Sequence, residues 1–170
     1  MPVRIAVVVG NPKPASRTLQ VALATADLLA TVVDETSDRL VADLAEYGPD
    51  LLDWQSERST HLCAEVAASD LIVVASPTYK ATYTGLLKLF FDRYGNRALE
   101  GRLAVPVMTG ASPVHALAPE AHLRPLLVEL GAALPTRALY VTEPEMVDLA
   151  PSLDAWGLSA LPDIARFFPR

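Results

Sequence analysis

Cysteine, basic side chains and long apolar runs are all scarce in this chain of 170 residues, and each scarcity excludes something. The single cysteine, Cys63, excludes an internal disulfide and suits a reducing compartment, and we interpret it as a small apolar residue of a helix. The formal net charge of -6 argues against a nucleic-acid partner, because such proteins usually carry a basic face. No apolar run approaches the roughly 20 residues that span a bilayer.

Targeting and metal-binding signals are equally scarce. The start Met1-Pro2-Val3 leads directly into an apolar stretch, without the basic, apolar and small-residue progression of a signal peptide. We therefore expect a cytoplasmic protein that has no membrane attachment. His61 and His122 have no metal-ligating companions at useful spacing, so no metal site is predicted.

What the chain does have is a regular alternation of short apolar runs and longer amphipathic ones. This alternation is typical of a parallel sheet with helices on both faces, and the length suits a single domain spanning residues 1–170. For five strands, the flavodoxin-like, doubly wound order 2-1-3-4-5 is the common solution. We predict an α/β fold with strands at 4–9, 39–44, 71–75, 103–109 and 138–142, helices at 16–33, 60–69, 84–97, 119–130 and 153–168, and a loop at 50–54. Pro106 predicts a bulge in the fourth strand, or a position where an N–H would face no partner.

The loop after the first strand, residues 10–18, has the composition of an anion site. It places the Ser16 and Thr18 hydroxyls and the Lys13 and Arg17 cations at the start of a helix, where free N–H groups attract anions. A phosphate would fit there, although Ser16 would equally serve as an ordinary helix cap. The loop matches neither G-x-x-x-x-G-K-[ST] nor G-x-G-x-x-G, so neither a nucleotide triphosphatase nor a Rossmann dinucleotide site is supported.

The loop after the third strand, residues 76–85, suits a planar, electron-accepting ligand. Pro77 restricts the backbone and Thr78 offers a hydroxyl or an N–H group. Tyr79 offers a flat face, and Lys80 a cation beside an electron-rich ring. The alternative is that Tyr79 and Lys80 are ordinary surface residues of a long loop.

The loop after the fourth strand, residues 109–115, contains Gly110, which permits close backbone approach to a ligand. His115 invites a catalytic role, but we expect a histidine at a helix start with a structural hydrogen bond. The carboxyl ends of the first, third and fourth strands meet at one edge of the predicted sheet, so the three loops lie together.

At these loops the chain resembles the NAD(P)H-dependent FMN reductases of the flavodoxin-like superfamily, in particular those that supply reduced flavin to monooxygenases. The resemblance covers about residues 3–142. It rests on GNPKPASRT, on ASDLIVVASPTYKATYTGLLKLFFD, and on ALEGRLAVPVMTGASPVH followed by LRPLLVELGA. The middle segment is the specific one, because proline, tyrosine, lysine and a later glycine after an apolar strand form a family pattern.

The resemblance implies FMN as cofactor and NADPH or NADH as hydride donor, with no catalytic side chain, because the flavin carries the chemistry. It implies three groups of site residues: Asn11, Lys13, Ser16, Arg17 and Thr18 at the FMN phosphate, Pro77, Thr78, Tyr79 and Lys80 beside the isoalloxazine ring, and Thr109, Gly110, Ala111 and Ser112 on its other side. Asn11 stands where serine is usual, and Ala111 replaces a second glycine. Residues 119–122 lack the aromatic inserted in some two-component members, which leaves FMN open as either substrate or retained prosthetic group.

The implied function is hydride transfer from a nicotinamide nucleotide to FMN, which would supply reduced flavin to a monooxygenase. The same site would serve a quinone, azo-dye or metal-oxyanion reductase. A flavodoxin-type electron carrier is the alternative from another class. Such carriers are usually acidic around the flavin, whereas Lys13, Arg17 and Lys80 make these loops locally basic.

The predicted helix at 84–97 carries more large apolar side chains than one sheet-facing stripe needs. They are Leu86, Leu87, Leu89, Phe90, Phe91 and Tyr94. We predict that part of this helix forms the interface of a homodimer or homotetramer, as the resemblance also implies. The alternative is a helix deeply buried by the closing helix.

Overall fold

The computed structural model describes residues 2–34 and 39–168, and a parallel sheet forms its centre. The strands are β1 (Ile5–Val9), β2 (Leu40–Asp43), β3 (Leu71–Pro77), β4 (Leu103–Gly110) and β5 (Leu139–Thr142). Their order is β2-β1-β3-β4-β5, which confirms the flavodoxin-like prediction. β1 and β3 are buried along their whole length, and β4 along all but its last residue, which is why their sequences show no polar alternation.

Helices cover both faces of the sheet. They are α1 (Arg17–Ala30), α2 (Gly48–Leu52), α3 (Glu57–Ala67), α4 (Gly85–Phe91), α5 (Arg124–Glu129) and α6 (Ala150–Phe167). Successive strand residues point to opposite faces, so Val7 joins the core under α1 and α6, whereas Val8 joins the core under α3, α4 and α5. No helix in the described parts of the chain is long and apolar enough to cross a membrane.

The structure corrects the prediction of a loop at 50–54. The segment 44–47 forms a 3-10 turn in which the Ala45 N–H donates to the capping Asp43 side chain, and it runs directly into α2. Pro49 lies in the first turn of α2, where its missing N–H group carries no penalty. Leu51 is buried in the core that also contains α3 and α4, so tertiary packing stabilises this short helix.

Two other helix boundaries differ from the prediction. α3 begins at Glu57 rather than at residue 60, since Ser56 Oγ accepts a hydrogen bond from the Ser59 N–H and caps the helix. α4 ends at Phe91 rather than at residue 97, and Arg97 has a left-handed φ of +53° that no helix continues through. The closing helix does not bury α4, because α6 packs on the opposite face of the sheet.

The predicted helix at 119–130 begins with a π-helical turn at 119–123 and continues as α5. The Arg124 N–H donates to the Pro119 carbonyl five residues back, which is the π-helical pattern. Gly131 follows α5 with a φ of +88°, as a glycine at a helix C-terminus is expected to do.

Pro106 is accommodated without a bulge. β3 and β4 pair in continuous register through Val74 and Pro106. The Ala104 N–H donates to the Ala133 carbonyl, so the nitrogen of Pro106, two residues on, lies on the side of β5. Pairing with β5 begins only at Val107, so the proline stands where an N–H would face no strand partner.

Candidate functional site

A cavity of about 360 Å³ opens at the carboxyl ends of β1, β3 and β4. This is the point where the strand order reverses, which is where open α/β sheets bind their ligands. The volume lies toward the lower end of the range of small-molecule sites, about 300–1,000 Å³. The cavity is lined by Asn11, Lys13, Ala15, Ser16, Arg17, Thr18, Gln20, Pro77, Thr78, Tyr79, Thr109, Gly110, Ala111, Glu143 and Met146.

The structure thus brings the three predicted loops together around one space. Every predicted site residue lines it except Lys80 and Ser112. Ala15, Gln20, Glu143 and Met146 also line the cavity and were not predicted. His115 ends a short 3-10 turn at 113–115, is exposed, and does not line the cavity.

The start of α1 forms one wall. Ser16 Oγ accepts a hydrogen bond of 3.2 Å from the Leu19 N–H, which confirms the reading of Ser16 as a helix cap. The N–H groups of Arg17 and Thr18 belong to the first turn, where no carbonyl four residues back is available. The helix dipole adds a partial positive charge at the same place, so this wall favours an anion.

A buried chain of side-chain hydrogen bonds joins this wall to the end of β4. Asn11 Nδ2 donates to Thr18 Oγ1 over 3.1 Å, and Thr18 Oγ1 lies 3.0 Å from Thr109 Oγ1. Asn11 Oδ1 in turn accepts from the Lys13 N–H at 2.9 Å. The polar side chains of Asn11 and Thr18 therefore hold two loops in a fixed relation, in addition to lining the cavity.

Asp43, at the end of β2, supports the same loop from behind. Its Oδ2 accepts a 2.9 Å hydrogen bond from the Ala15 N–H, and Ala15 has a left-handed φ of +49°. Asp43 is 7% exposed, so this contact is nearly shielded from water. Sequence reasoning missed Asp43, because its only local signal was its place at a strand end.

The loop after β3 carries a strained turn. The N–H of Tyr79 donates to the Thr82 carbonyl at 2.8 Å and that of Thr82 to the Tyr79 carbonyl at 3.2 Å. Between them Lys80 and Ala81 have φ of +51° and +67°, which is the geometry of a type I′ turn. The left-handed region costs an ordinary residue roughly 1–2 kcal/mol, and such strain is concentrated at functional sites. The turn places Lys80 outside the cavity lining, whereas Tyr79 lines it and is 51% exposed.

Two close contacts explain the glycines of the site. A Cβ on Gly10 would lie 2.4 Å from Leu87 Cβ, so the first loop can pack against α4 only with glycine there. A Cβ on Gly110 would lie 2.0 Å from Tyr140 Oη, whose hydroxyl donates to the Ser112 carbonyl at 2.9 Å. Gly110 therefore lets a tyrosine hydroxyl approach the backbone and hold the loop after β4.

Thr78 adds an unpaired polar atom. Its N–H donates to the Thr109 carbonyl at 2.7 Å, which ties the second loop to the third. Its Oγ1 is buried and has no hydrogen-bond partner in the described structure. A buried hydroxyl without a partner costs about 1–3 kcal/mol, so a ligand atom that pairs with it would be stabilised.

Both positively and negatively charged side chains line the cavity. Arg17 Nη2 lies 2.8 Å from Glu143 Oε1, and both side chains line the cavity. Glu143 follows β5, and its N–H donates to the Gly110 carbonyl at 2.8 Å. Two residues on, the Glu145 carboxylate accepts hydrogen bonds from the Thr142 hydroxyl and N–H, which lower the pKa of Glu145 and close the turn that presents Glu143.

Comparison with known proteins identifies the family. A family model described as NADPH-dependent FMN reductase matches residues 3–144. The chain belongs to this family. The match covers all three loops of the cavity, and it confirms the resemblance seen in the sequence.

Relatives in the FMN reductase family show how far the likeness extends. An NADH-dependent FMN reductase, SfnF of Pseudomonas putida, is 33% identical over 156 residues, which cover 82% of this chain and 77% of that protein. An FMN reductase (NADPH) of Escherichia coli K12 is 33% identical over 84 residues, or 49% of this chain and 44% of that protein. The chain thus spans less than half the length of several curated relatives that it matches. A solved NADH:FMN oxidoreductase in its apo form superposes with a TM-score of 0.82 at 27% identity, covering 97% of this chain and 88% of that one.

For this member of the FMN reductase family, the residues that sequence reasoning missed are those with no local pattern. Glu143 and Met146 follow an edge strand whose end shows no motif. Glu143 meets Arg17 across 126 positions of the chain. The only available signal was a carboxylate one residue past the predicted fifth strand.

Proposed function

We propose that this protein catalyses hydride transfer from NADH or NADPH to FMN. One observation carries the proposal: a single cavity at the topological switch point joins a helix N-terminus bearing cations to a wall formed by Thr78 and Tyr79. Membership of the FMN reductase family supports the same reaction, as do the activities by which the relatives are named.

The residues of the cavity fit a phosphate at one end. The first-turn N–H groups of α1, the Ser16 side chain and the Arg17 guanidinium would hold the FMN phosphate, with Lys13 beside them. Asn11 and Thr18 would act mainly by holding this loop in shape, because their side chains already bond to each other.

The other end fits a flat ring. Pro77, Thr78 and Tyr79 would border one side of the isoalloxazine system, and Gly110 and its neighbours Thr109 and Ala111 the other. The unpartnered Thr78 Oγ1 offers a hydrogen bond to a polar edge of such a ring. Roles for Lys80 and Ser112 remain predictions from the family resemblance.

Bound FMN would supply the electron acceptor, so the chain need not supply an acid, base or nucleophile. The work of the protein is then to bind and orient. Tyr79, half-exposed beside the opening, leaves the flavin side of the cavity accessible to a nicotinamide nucleotide. The buried hydrogen-bond chain from Asn11 to Thr109 keeps the phosphate loop in a fixed position relative to the ring-binding loops.

The direct test is the oxidation of NADH and of NADPH, followed by absorbance with and without added FMN. FMN-dependent oxidation of at least one nucleotide is expected, and no turnover with either refutes the proposal. The variant Arg17→Gln should raise KM for FMN. Arg166→Gln is a matched control, because Arg166 is also an exposed, ion-paired arginine but lies on α6 and does not line the cavity.

Two further measurements separate the alternatives. Stopped-flow mixing of the FMN-loaded protein with reduced nicotinamide nucleotide should bleach the flavin, whereas the flavin of a pure electron carrier would stay yellow. A quinone or azo dye that increases the rate far beyond FMN alone would indicate another final acceptor. The visible spectrum before and after desalting distinguishes a retained prosthetic group from a dissociable substrate.

Self-association is part of the proposal. In α4, Leu87, Phe90 and Phe91 are buried within the protomer, while Leu86 and Leu89 are only half-buried. We propose that a second copy covers the face of α4 that carries Leu86 and Leu89. Sedimentation that shows a monomer at micromolar concentration would refute the interface.

Delivery of reduced flavin to a monooxygenase and a cytoplasmic location stay predictions. Coupled turnover with a flavin-dependent monooxygenase, in the absence of other reductants, would test the first. The second can be tested by fractionating cells that express the full-length protein.

A further inference from the structure

Glu143 places a carboxylate inside a site built for an anion. Its Oε1 lies 2.8 Å from Arg17 Nη2, and both side chains line the cavity with the start of α1. No other hydrogen-bond partner of the Glu143 carboxylate is found in the described structure. The carboxylate is therefore paired with Arg17, a cation that the proposed function assigns to the FMN phosphate.

The position of Glu143 is set by the backbone around it. Its N–H is bonded to the Gly110 carbonyl at the end of β4. The following turn is closed by Glu145, which accepts from Thr142 and from Ser152 Oγ. The fold thus keeps this side chain at the rim of the cavity, within reach of Arg17.

A phosphate and a carboxylate compete for the same guanidinium fork, and they repel each other when both are near it. The Arg17 and Glu143 side chains are 59% and 50% exposed, so water and salt weaken the pair. Exposed pairs of this kind change a binding equilibrium by about fivefold at most, and repulsion of the phosphate adds to that effect.

We propose that Glu143 competes with the FMN phosphate for Arg17 and thereby weakens FMN retention. This inference rests on the proposed function and deepens it. The competition favours FMN as a dissociable substrate over a retained prosthetic group. Glu143 is on this account a positioning residue that acts through Arg17, and it has no part in the hydride transfer.

The test measures equilibrium binding of FMN and of riboflavin, which lacks the phosphate, by quenching of flavin fluorescence. The variant Glu143→Gln should lower the Kd for FMN by about three- to tenfold, with the larger effect at low salt. The Kd for riboflavin should stay within about twofold, because riboflavin carries no phosphate to compete.

Glu100→Gln is the matched control. Glu100 forms a comparable exposed pair with Arg97 at 2.6 Å and does not line the cavity. Both substitutions remove one negative charge, so the two variants will differ in their Kd for FMN only if Glu143 acts locally at the cavity. The control should leave both Kd values unchanged. In an Arg17→Gln background, the gain from Glu143→Gln should be smaller than in the wild-type background, because the contested cation is gone and only the repulsion between carboxylate and phosphate remains.

Three results overturn the inference. The Kd for FMN is unchanged in Glu143→Gln; or it rises, which would mean that Glu143 orients Arg17 for phosphate; or FMN and riboflavin shift equally, which would place Glu143 at the ring. The proposed function fails separately, and takes the inference with it, if neither the wild type nor any variant binds FMN.

Discussion

The contact between Gly110 and Tyr140 yields a prediction with a calculable size. In Gly110→Ala the new Cβ would lie 2.0 Å from Tyr140 Oη and 2.9 Å from Cζ, where ordinary contacts begin at 3.4 Å. The hydroxyl must therefore move by at least 1.4 Å (3.4 minus 2.0). That movement breaks its 2.9 Å hydrogen bond to the Ser112 carbonyl. Overpacking costs about 1–3 kcal/mol and the lost bond about 1 kcal/mol.

Together, the two costs lower the free energy of unfolding by about 2–4 kcal/mol. The Tyr140 ring is only half-buried and can tilt, so we expect a loss near the lower end, about 2 kcal/mol. Tyr140→Phe alone should cost about 0.5–1 kcal/mol, since it loses only the hydrogen bond. In the double variant the closest overlap disappears with the hydroxyl. Gly110→Ala should then cost only about 1 kcal/mol more, which leaves a coupling energy of about 1 kcal/mol.

The assay is urea unfolding of the four proteins, followed by circular dichroism and tryptophan fluorescence. The coupling energy is read from the midpoints at a common m value. Additive costs within about 0.5 kcal/mol would refute the steric account, because separated sites behave additively. A Gly110→Ala variant as stable as the wild type would also refute it.

Three other substitutions test local features. Ala81→Gly should raise the free energy of unfolding by about 0.5–1 kcal/mol, because glycine relieves the left-handed φ of +67°; an unchanged or lower urea midpoint would contradict this. Ser16→Ala should lower the free energy of unfolding by about 1 kcal/mol, because the cap on the Leu19 N–H is lost. A decrease below about 0.3 kcal/mol would argue against the cap. Hydrogen bonding from Arg124 lowers the pKa of Glu120 below its ordinary value of 4.5, so its stabilising contribution is present above that pH and is lost as the pH falls through the folded value. The stability gap between wild type and Glu120→Gln should therefore close in acid, and a gap that stays constant to pH 3 would count against the ion pair.

Particular elements show where sequence reasoning succeeds. The uniformly apolar runs of β1 and β3 predicted buried parallel strands, since both faces of such a strand contact helices. The helix starts predicted at residues 16 and 84 are correct, because the caps Ser16 and Thr84 act within three residues of themselves. The family pattern in the loop at 76–85 predicted the cavity wall formed by Thr78 and Tyr79.

Other elements show where it fails. Residues 48–52 form a helix because Leu51 packs into the core, which a five-residue polar and apolar mixture does not reveal. The type I′ turn puts Lys80 outside the cavity although its neighbour Tyr79 lines it. Propensity disfavours a left-handed lysine and alanine in succession, so only the surrounding structure stabilises this turn.

The sequence by itself determined the α/β class, the strand order and the three loops that form the site, because hydrophobic periodicity, caps and a local family motif are all carried by neighbouring residues. Only the tertiary structure decided which side chains meet across those loops. Glu143 reaches Arg17 from 126 positions away, and Tyr140 lies against Gly110 because β5 pairs with β4. Such contacts depend on the register and packing of distant strands, and these leave no pattern in the local sequence.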